Sequence, residues 1–325
     1  MILDTTDIPM ATFPCHGHPR PNGITLSWSR LSDWTTCKKR VKLFHDGKRQ
    51  KFVNARNFLA GNLVDNTMRE ALTYSATRDS SGRLVELSKK DFVEPLESKW
   101  YEIVNNPEKN TVYEWKGDIL EDQKRILNKA ERALDNLYPI VMDNLLGRRY
   151  IPEFRPKEMP PVGVPGPDGE TYYIRLFLAV DMAVQVEEDP EDPENGIGKW
   201  GLYDLKTTEQ DEYLKKTLPQ LVFYDIAFQA LTGSQPVDHA LWAPLTKDPV
   251  KVVEVNDSHR RQVMDWIISY CHSVWSGEDD MTKDETACYM CPTKIACPKF
   301  VKPLKKDEQG IFKVSFGSSE DGMLQ

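Results

Sequence analysis

The sequence lacks the features that mark several large protein classes. It has no G-x-x-x-x-G-K-[ST] phosphate loop, which argues against a P-loop ATPase or helicase acting by itself. It also has no run of about 18 apolar residues, and its first residues lack the basic and apolar segments of a secretion signal. We therefore expect a soluble, cytoplasmic protein without membrane association.

Cysteine is also scarce, and the acids outnumber the basic residues. The 325 residues include six cysteines, which without a secretion signal favours thiols or metal ligands over a disulfide framework. The net charge of −8 gives no overall signal for nucleic-acid binding. Residues 24–57, however, carry nine Lys and Arg against two acids, so they predict a phosphate-facing patch. Its cations are Arg30, Lys38, Lys39, Arg40, Lys42, Lys48, Arg49, Lys51 and Arg56.

Length and composition predict one elaborated domain over residues 24–304. The proline-rich residues 1–23 predict an irregular arm, and the polar residues 305–325 predict a loosely held tail. A helical insertion is expected over residues 79–147, including a long amphipathic helix from Asp118 to Leu146.

Three further helices are predicted from apolar spacing. The first follows Ser27 as N-cap, has Trp28, Leu31 and Trp34 on one face, and ends near Cys37. The second covers residues 55–74 and carries Asp65 one turn from Arg69. The third covers residues 258–275.

The strand predictions place most of the polar residues of interest. In Trp200–Thr208, alternation puts Asp204 and Lys206 on one face of a strand. The apolar strand 174–180 is expected to end in Asp181, and a short strand over 151–155 contains Glu153. A proline-rich turn is expected over 160–169, an acidic hairpin loop over 186–194 and another strand over 238–245.

A helix opening near Gln220 puts that residue and Tyr224 one turn apart on one face. Two acids, a lysine and this pair thus come from neighbouring elements. Mg²⁺ and Mn²⁺ prefer oxygen ligands, and one or two such ions neutralise a phosphodiester and lower the pKa of the attacking water. The combination indicates metal-dependent phosphodiester chemistry, although each residue alone is more often a solvated or turn residue.

These residues resemble the PD-(D/E)XK nuclease superfamily, in particular its RecB-like branch. The pattern of that branch is an upstream Glu, a strand-end Asp, Asp/Glu-x-Lys and Gln-x-x-x-Tyr, in this order. The matching residues are Glu153, Asp181, Asp204 with Lys206, and Gln220 with Tyr224. The resemblance implies a restriction-endonuclease-like α/β core, with a mixed central sheet flanked by helices.

The resemblance also implies residue roles. Asp181 and Asp204 would hold the metal, and Lys206 would serve the attacking water. Gln220 and Tyr224 would contact DNA or brace the site.

Glu153 would be an additional ligand or would support the ligands. Two positions depart from the family. Leu178 stands where a Gly is frequent, and Asp65 replaces a His, so Asp65 is a candidate metal ligand that cannot act as a neutral imidazole.

A cysteine cluster near the C-terminus has C-x₂-C-x₅-C spacing, and Cys37 is the obvious fourth ligand. Four thiolates suit zinc or an iron–sulfur cluster, and spacing alone does not choose. CRISPR-associated RecB-like exonucleases and the AddAB nuclease domain have the same arrangement, and this resemblance implies a [4Fe–4S] cluster. Its ligands would be Cys37, Cys288, Cys291 and Cys297.

The expected function is a Mg²⁺- or Mn²⁺-dependent exonuclease that acts on DNA ends or single strands. The setting would be recombination, repair, or CRISPR or phage DNA processing, with a helicase or recombinase as a possible partner. The alternative of a catalytically silent module that binds DNA ends or forms complexes also stays open. The sequence leaves open the polarity, exo- or endonucleolytic action, DNA or RNA preference and oligomeric state.

Overall fold

The computed structural model describes residues 24–45, 53–54, 56–75, 77–106, 111–188, 191, 198–215, 217–282, 288, 291, 293, 296–300, 305–306 and 312–313. The predicted arm over residues 1–23 and most of the predicted tail lie outside these residues. Within the described part, no helix has the length and apolar character needed to cross a membrane.

Nine α-helices are described: α1 (Trp28–Thr36), α2 (Lys38–His45), α3 (Leu59–Glu70), α4 (Lys89–Val93), α5 (Leu96–Asn105), α6 (Ile119–Leu145), α7 (Asp211–Lys215), α8 (Leu218–Thr232) and α9 (Asp257–Ser276). A 3₁₀ turn (Arg56–Phe58) precedes α3, and a π-helical turn (Ala71–Ser75) follows it. The predicted N-cap Ser27 accepts a backbone hydrogen bond at the start of α1, and Asp118 caps the start of α6 in the same way.

Fourteen strands are described: β1 (Thr25–Ser27), β2 (Val53–Asn54), β3 (Thr77–Arg78), β4 (Leu84–Glu86), β5 (Thr111–Val112), β6 (Tyr150–Phe154), β7 (Pro161–Pro165), β8 (Thr171–Phe177), β9 (Val180–Glu187), β10 (Lys199–Leu205), β11 (Asp238–Trp242), β12 (Val250–Val252), β13 (Lys305–Lys306) and β14 (Phe312–Lys313). The largest sheet has the order β12-β11-β10-β9-β6. Its β10–β11 pair is parallel and its other pairs are antiparallel, which confirms the predicted mixed sheet flanked by helices.

The two faces of this sheet belong to two hydrophobic cores. Tyr203 and Leu205 lie in a core that also contains apolar residues of α3 and α6. Leu202, which precedes Tyr203, points to the opposite face. It lies in a second core with residues of α1, α8 and α9. The alternation predicted for β10 is therefore present, and it places Asp204 on the α8 side of the sheet.

Helix α6 packs directly on the central fold. Ala133, Leu134 and Leu137 are fully buried, and they share one core with α3 and with residues of β9 and β10. The spacing of these residues is that of one helix face, so the predicted amphipathic pattern of α6 is confirmed.

Two strand predictions need correction. The predicted turn over 160–169 contains a strand, β7, which pairs antiparallel with β8. The apolar run 174–180 is not one strand ending in Asp181, because the extended pairing breaks at Leu178 and Ala179. Strand β8 joins the small sheet β1-β8-β7, whereas Asp181 is the second residue of β9 in the central sheet.

The predicted phosphate-facing patch is largely ion-paired where it is described. Lys38 pairs with Glu278, and Lys42 Nζ lies 3.3 Å from an Asp279 oxygen. Lys39 also pairs with Asp279, and its backbone N–H donates to the Asp280 carbonyl. These contacts fasten α2 to the segment after α9, and they reduce the positive charge available for a phosphate. Lys48, Arg49 and Lys51 lie outside the described residues.

A buried charged network joins α8, β11 and α9. Asp225, which is fully buried, accepts hydrogen bonds from Arg260 Nε at 2.6 Å and from His239 Nε2 at 2.9 Å. Burial alone would raise the pKa of Asp225, but the hydrogen bonds from His239 and Arg260 outweigh it and hold this pKa below its usual range. The ionised carboxylate therefore stabilises the fold.

Replacement of Asp225 by Asn should lower the free energy of unfolding by roughly 3 kcal/mol at pH 7, because Arg260 loses its buried counter-ion. A depressed folded-state pKa contributes stability above the unfolded pKa of about 3.9, and this contribution disappears as the pH falls through the folded value. The difference should therefore shrink below about pH 4. Urea unfolding across this pH range measures it.

Asp257→Asn is the matched control for this prediction. Asp257 also pairs with Arg260, but its side chain is 78% exposed, so its loss should cost below about 1 kcal/mol. Equal destabilisation by the two substitutions would contradict the assigned importance of Asp225.

Candidate active site

Three acids lie in one row across the central sheet. In the antiparallel β9–β10 pair, Tyr203 faces Met182, and the next step of that register places Asp204 beside Asp181. The Leu205 N–H donates to Asp181 Oδ2 at 2.7 Å, which fixes this carboxylate against the end of β10. Because the two strands run in opposite directions, the start of β9 and the end of β10 meet at one end of the sheet.

The third acid of the row comes from β6. Pro152 faces Met182 and Phe154 faces Val180, so Glu153 lies beside Asp181. Glu153 is the one non-glycine residue with positive φ in the described chain, at 50°. A left-handed backbone costs a residue with a side chain about 1–2 kcal/mol, and such strain is found at functional sites.

Two arginines hold the Glu153 carboxylate. Arg69 of α3 pairs with Glu153 Oε2, and Arg155 Nη2 lies 3.0 Å from Oε1. Arg69 also lies 3.9 Å from Asp65 one turn earlier in α3. The Asp65–Arg69 pair is thus part of a network that links α3 to β6, and it is more than a surface pair.

Asp204 is the most deeply buried of these acids, with 2% of its surface exposed. Its Oδ2 forms an ion pair with the Lys206 ammonium. Gln220 Nε2 lies 3.4 Å from Asp204 Oδ1 and 3.0 Å from the Tyr224 hydroxyl oxygen. The predicted Gln220–Tyr224 face of α8 therefore reaches Asp204.

Helix α3 approaches the segment after Lys206 closely. A Cβ atom at Gly61 would stand 2.9 Å from Thr207 Oγ1, so the absence of a side chain there permits this approach. Asp65 follows Gly61 by one turn on the same face, which brings it towards the row of acids. The charges of Asp181 and Asp204 act on Asp65 at this position.

The four predicted cluster ligands line one cavity. Cys37 lies between α1 and α2, and it shares this cavity with the three cysteines of the C-terminal cluster. The Thr282 N–H donates to Cys37 Sγ at 3.5 Å, and no disulfide joins these four cysteines in the described residues. Cys271 is buried within α9, apart from this cavity, and Cys15 lies outside the described residues.

A sequence model of the PD-(D/E)XK nuclease superfamily matches residues 25–298. The chain belongs to this superfamily. Membership implies nuclease activity, with DNA as substrate and typically with Mg²⁺ or Mn²⁺. No curated protein matches the chain significantly.

The site concentrates negative charge in a poorly hydrated place. Burial raises the pKa of Asp181 well above its usual range, and the neighbouring Asp204 and Asp65 raise it further. Burial also raises the pKa of Asp65. Burial disfavours the Lys206 ammonium, but Asp204 and Asp181 outweigh this effect and raise its pKa.

The donor set fits a hard divalent cation, although no three ligating side chains converge on one point in the described residues. Carboxylate oxygens are the ligands that Mg²⁺ and Mn²⁺ prefer. Asp181 and Asp65 repel the charge of Asp204. A cation between these carboxylates would relieve this repulsion.

Arg155 is a site residue that sequence reasoning did not single out, and Arg69 was named only as a neighbour of Asp65. Arg155 follows Glu153 by two residues, so strand alternation could have placed the two side chains on the same side. The contact of Arg69 with Glu153 joins residues 84 positions apart and has no local signal.

Asp181→Asn should raise the melting temperature of the metal-free protein, because it removes a charge that burial and Asp204 disfavour. The amide oxygen of Asn can still accept the Leu205 N–H. Mn²⁺ should then stabilise the unsubstituted protein more than the variant, since binding to the folded state alone adds stability. Thermal unfolding with EDTA and with MnCl₂ measures both effects.

The exposed Asp135, in α6, supplies the control substitution Asp135→Asn, which should leave the Mn²⁺ shift unchanged. A metal-free Asp181→Asn protein that melts below the unsubstituted protein would contradict the charge argument.

Proposed function

We propose that this protein is a Mg²⁺- or Mn²⁺-dependent exonuclease that hydrolyses phosphodiester bonds in DNA. The main support is the pairing of β9 with β10, which brings Asp181 beside Asp204 and Lys206 at one end of the central sheet. Superfamily membership supports the nuclease chemistry. The exonucleolytic mode rests on the RecB-like pattern of motifs.

The proposed metal ligands are Asp181 and Asp204, with Asp65 as a further candidate. A bound Mg²⁺ or Mn²⁺ would neutralise charge on the phosphate and lower the pKa of the attacking water. The Lys206 ammonium is placed to orient that water or to donate to a phosphate oxygen, which offsets negative charge in the transition state.

The remaining proposed site residues position this machinery. Gln220 bridges Asp204 and Tyr224, so α8 orients the Asp204 carboxylate. Glu153 is held by Arg69 and Arg155, which favours a supporting role for it beside Asp181. Gln220 and Tyr224 are also near enough to the acids to contact DNA there.

We further propose that Cys37, Cys288, Cys291 and Cys297 hold a [4Fe–4S] cluster. Four thiolates around one cavity supply the donor set of such a cluster. Its chemistry there would be structural, because it would join the α1–α2 corner to the C-terminal segment. The ion pairs of Lys38 and Lys39 with Glu278 and Asp279 support the same junction.

The proposed substrates are DNA ends or single strands, in recombination, repair, or CRISPR or phage DNA processing. A helicase or recombinase is the proposed partner. These assignments rest on the resemblance to RecB-like exonucleases.

Asp204→Asn and Lys206→Met should each lower metal-dependent DNA degradation by about 100-fold or more, because each removes a charge that acts on the reacting phosphate. The Asn side chain preserves the volume of Asp204, so the fold should persist. Release of acid-soluble nucleotides from labelled DNA, with Mg²⁺, Mn²⁺ or EDTA, measures the activity. Substrates blocked at the 5′ or the 3′ end test the exonucleolytic mode.

Lys199→Met is the matched control, since Lys199 lies at the opposite end of the same strand and is 55% exposed. Full activity of Asp204→Asn or Lys206→Met would overturn the assignment. If the unsubstituted protein binds DNA ends but releases no nucleotides, the chain is instead a catalytically silent binding module.

Cys288→Ala and Cys297→Ala should each reduce bound iron and acid-labile sulfide strongly, and they should bleach the brown colour expected of the purified protein. Each removes one of four thiolate ligands. Cys271→Ala is the control, because Cys271 lies apart from the cavity. Metal analysis of anaerobically purified protein measures the loss. A colourless protein with stoichiometric zinc would contradict the iron–sulfur assignment.

A further inference from the structure

The small sheet β1-β8-β7 has one buried face and one outer face. Along β8, Ile174 and Leu176 are buried, whereas Tyr173 and Phe177 are 40% and 38% exposed. Arg175 lies between the two aromatic residues on the same side of the strand. The outer face therefore presents a cation between two aromatic rings.

Small side chains flank these rings on the neighbouring strands. Gly163 of β7 faces Tyr173, and Ser27 of β1 faces Phe177. The Tyr173 ring lies over Gly163, with its Cε1 atom 3.6 Å from the position that a Cβ would take. A Cβ at Gly163 would stand 3.1 Å from Thr171 Cγ2, so the absence of a side chain permits the close approach of β7 and β8 on this face.

A cavity of about 300 Å³ adjoins the outer face. It combines aromatic, aliphatic and charged side chains, and its cations come from two segments. Exposed Lys157 lies in the segment after β6, and Arg175 lies on β8. The full lining is Thr25, Pro156, Lys157, Glu158, Met159, Arg175, Leu176 and Phe177.

Both segments of this lining continue directly into the candidate active site. Lys157 follows Glu153 by four residues, and Phe177 precedes Asp181 by four residues. Four extended residues span at most about 14 Å. Since β6 and β9 are antiparallel, the end of β6 and the start of β9 lie together, so both segments of the lining lead to the same row of acids within that distance.

We propose that the outer face of the small sheet binds single-stranded DNA and leads it to the candidate active site. Unpaired bases stack on Tyr173 and Phe177, and phosphates lie at Arg175 and Lys157. Paired bases are already stacked in a duplex, so the exposed rings serve single strands. This inference rests on the proposed function, because it names the substrate form that the same site receives.

Fluorescence anisotropy with a labelled single-stranded oligothymidine tests the binding surface. All variants carry Asp204→Asn and are measured with Mg²⁺, so that binding is read without cleavage. Tyr173→Leu and Phe177→Leu should each weaken binding roughly fivefold or more, because they remove an aromatic face and keep an apolar side chain. Tyr101→Leu is the control, since Tyr101 is 66% exposed on α5.

The salt dependence of binding distinguishes the contribution of the aromatic rings from that of the cations. Lys157→Ala should reduce the slope of log K against log salt by about 0.7, as expected for one phosphate contact on a single strand. Lys90→Ala, at an exposed residue of α4, should leave the slope unchanged. Tyr173→Leu and Phe177→Leu should also leave the slope unchanged. Their affinity for a duplex of the same length should equal that of the Tyr101→Leu control.

Ring variants that bind single strands as tightly as the control would overturn the proposal, and so would equal losses for single strands and duplex. Circular dichroism of each variant checks that the strands are retained. Phe177→Tyr keeps an aromatic face, so it should bind more tightly than Phe177→Leu. If the unsubstituted protein degrades no DNA while the rings still govern binding, the nuclease assignment fails and this surface stands. If the unsubstituted protein degrades DNA but the ring substitutions leave binding unchanged, only the proposed binding surface is wrong.

Discussion

The antiparallel pairing of β9 with β10 is the constraint on which the candidate site depends. It brings Asp181 beside Asp204 in a place where water hydrates them poorly. Each carboxylate would lose favourable hydration there, and the two negative charges repel each other. The Lys206 ammonium and the Leu205 N–H offset only part of this cost. The fold thus keeps an excess of negative charge that a divalent cation would balance.

The buried network of Asp225 extends this constraint to helix α8. Asp225 follows Tyr224 in the chain, and its contacts with His239 and Arg260 hold α8 against β11 and α9. Strand β11 in turn pairs with β10, and the Lys206 N–H donates to the Trp242 carbonyl of β11. The position of Gln220 relative to Asp204 is therefore set by the same buried charges that stabilise the fold.

The sequence predicts those parts of this arrangement that depend on near neighbours. The cap Ser27, the alternation of β10 and the Gln220–Tyr224 helix face follow from local spacing, and the structure has them. The break between β8 and β9 was missed, because the apolar run continues through Leu178 and Ala179 while the chain changes sheets. The positive φ of Glu153 was also missed, since its contact with Arg69 joins distant segments.

Long-range charge pairing also changes where nucleic acid can bind. The cations of α2 are opposed by Glu278 and Asp279, about 240 residues later, so a count of local charge overstates their attraction for phosphate. The chain has a net charge of −8, and its candidate site adds buried carboxylates that repel a phosphate. Cations must therefore lie at the edge of the site. Exposed Lys157, four residues after Glu153, has that position.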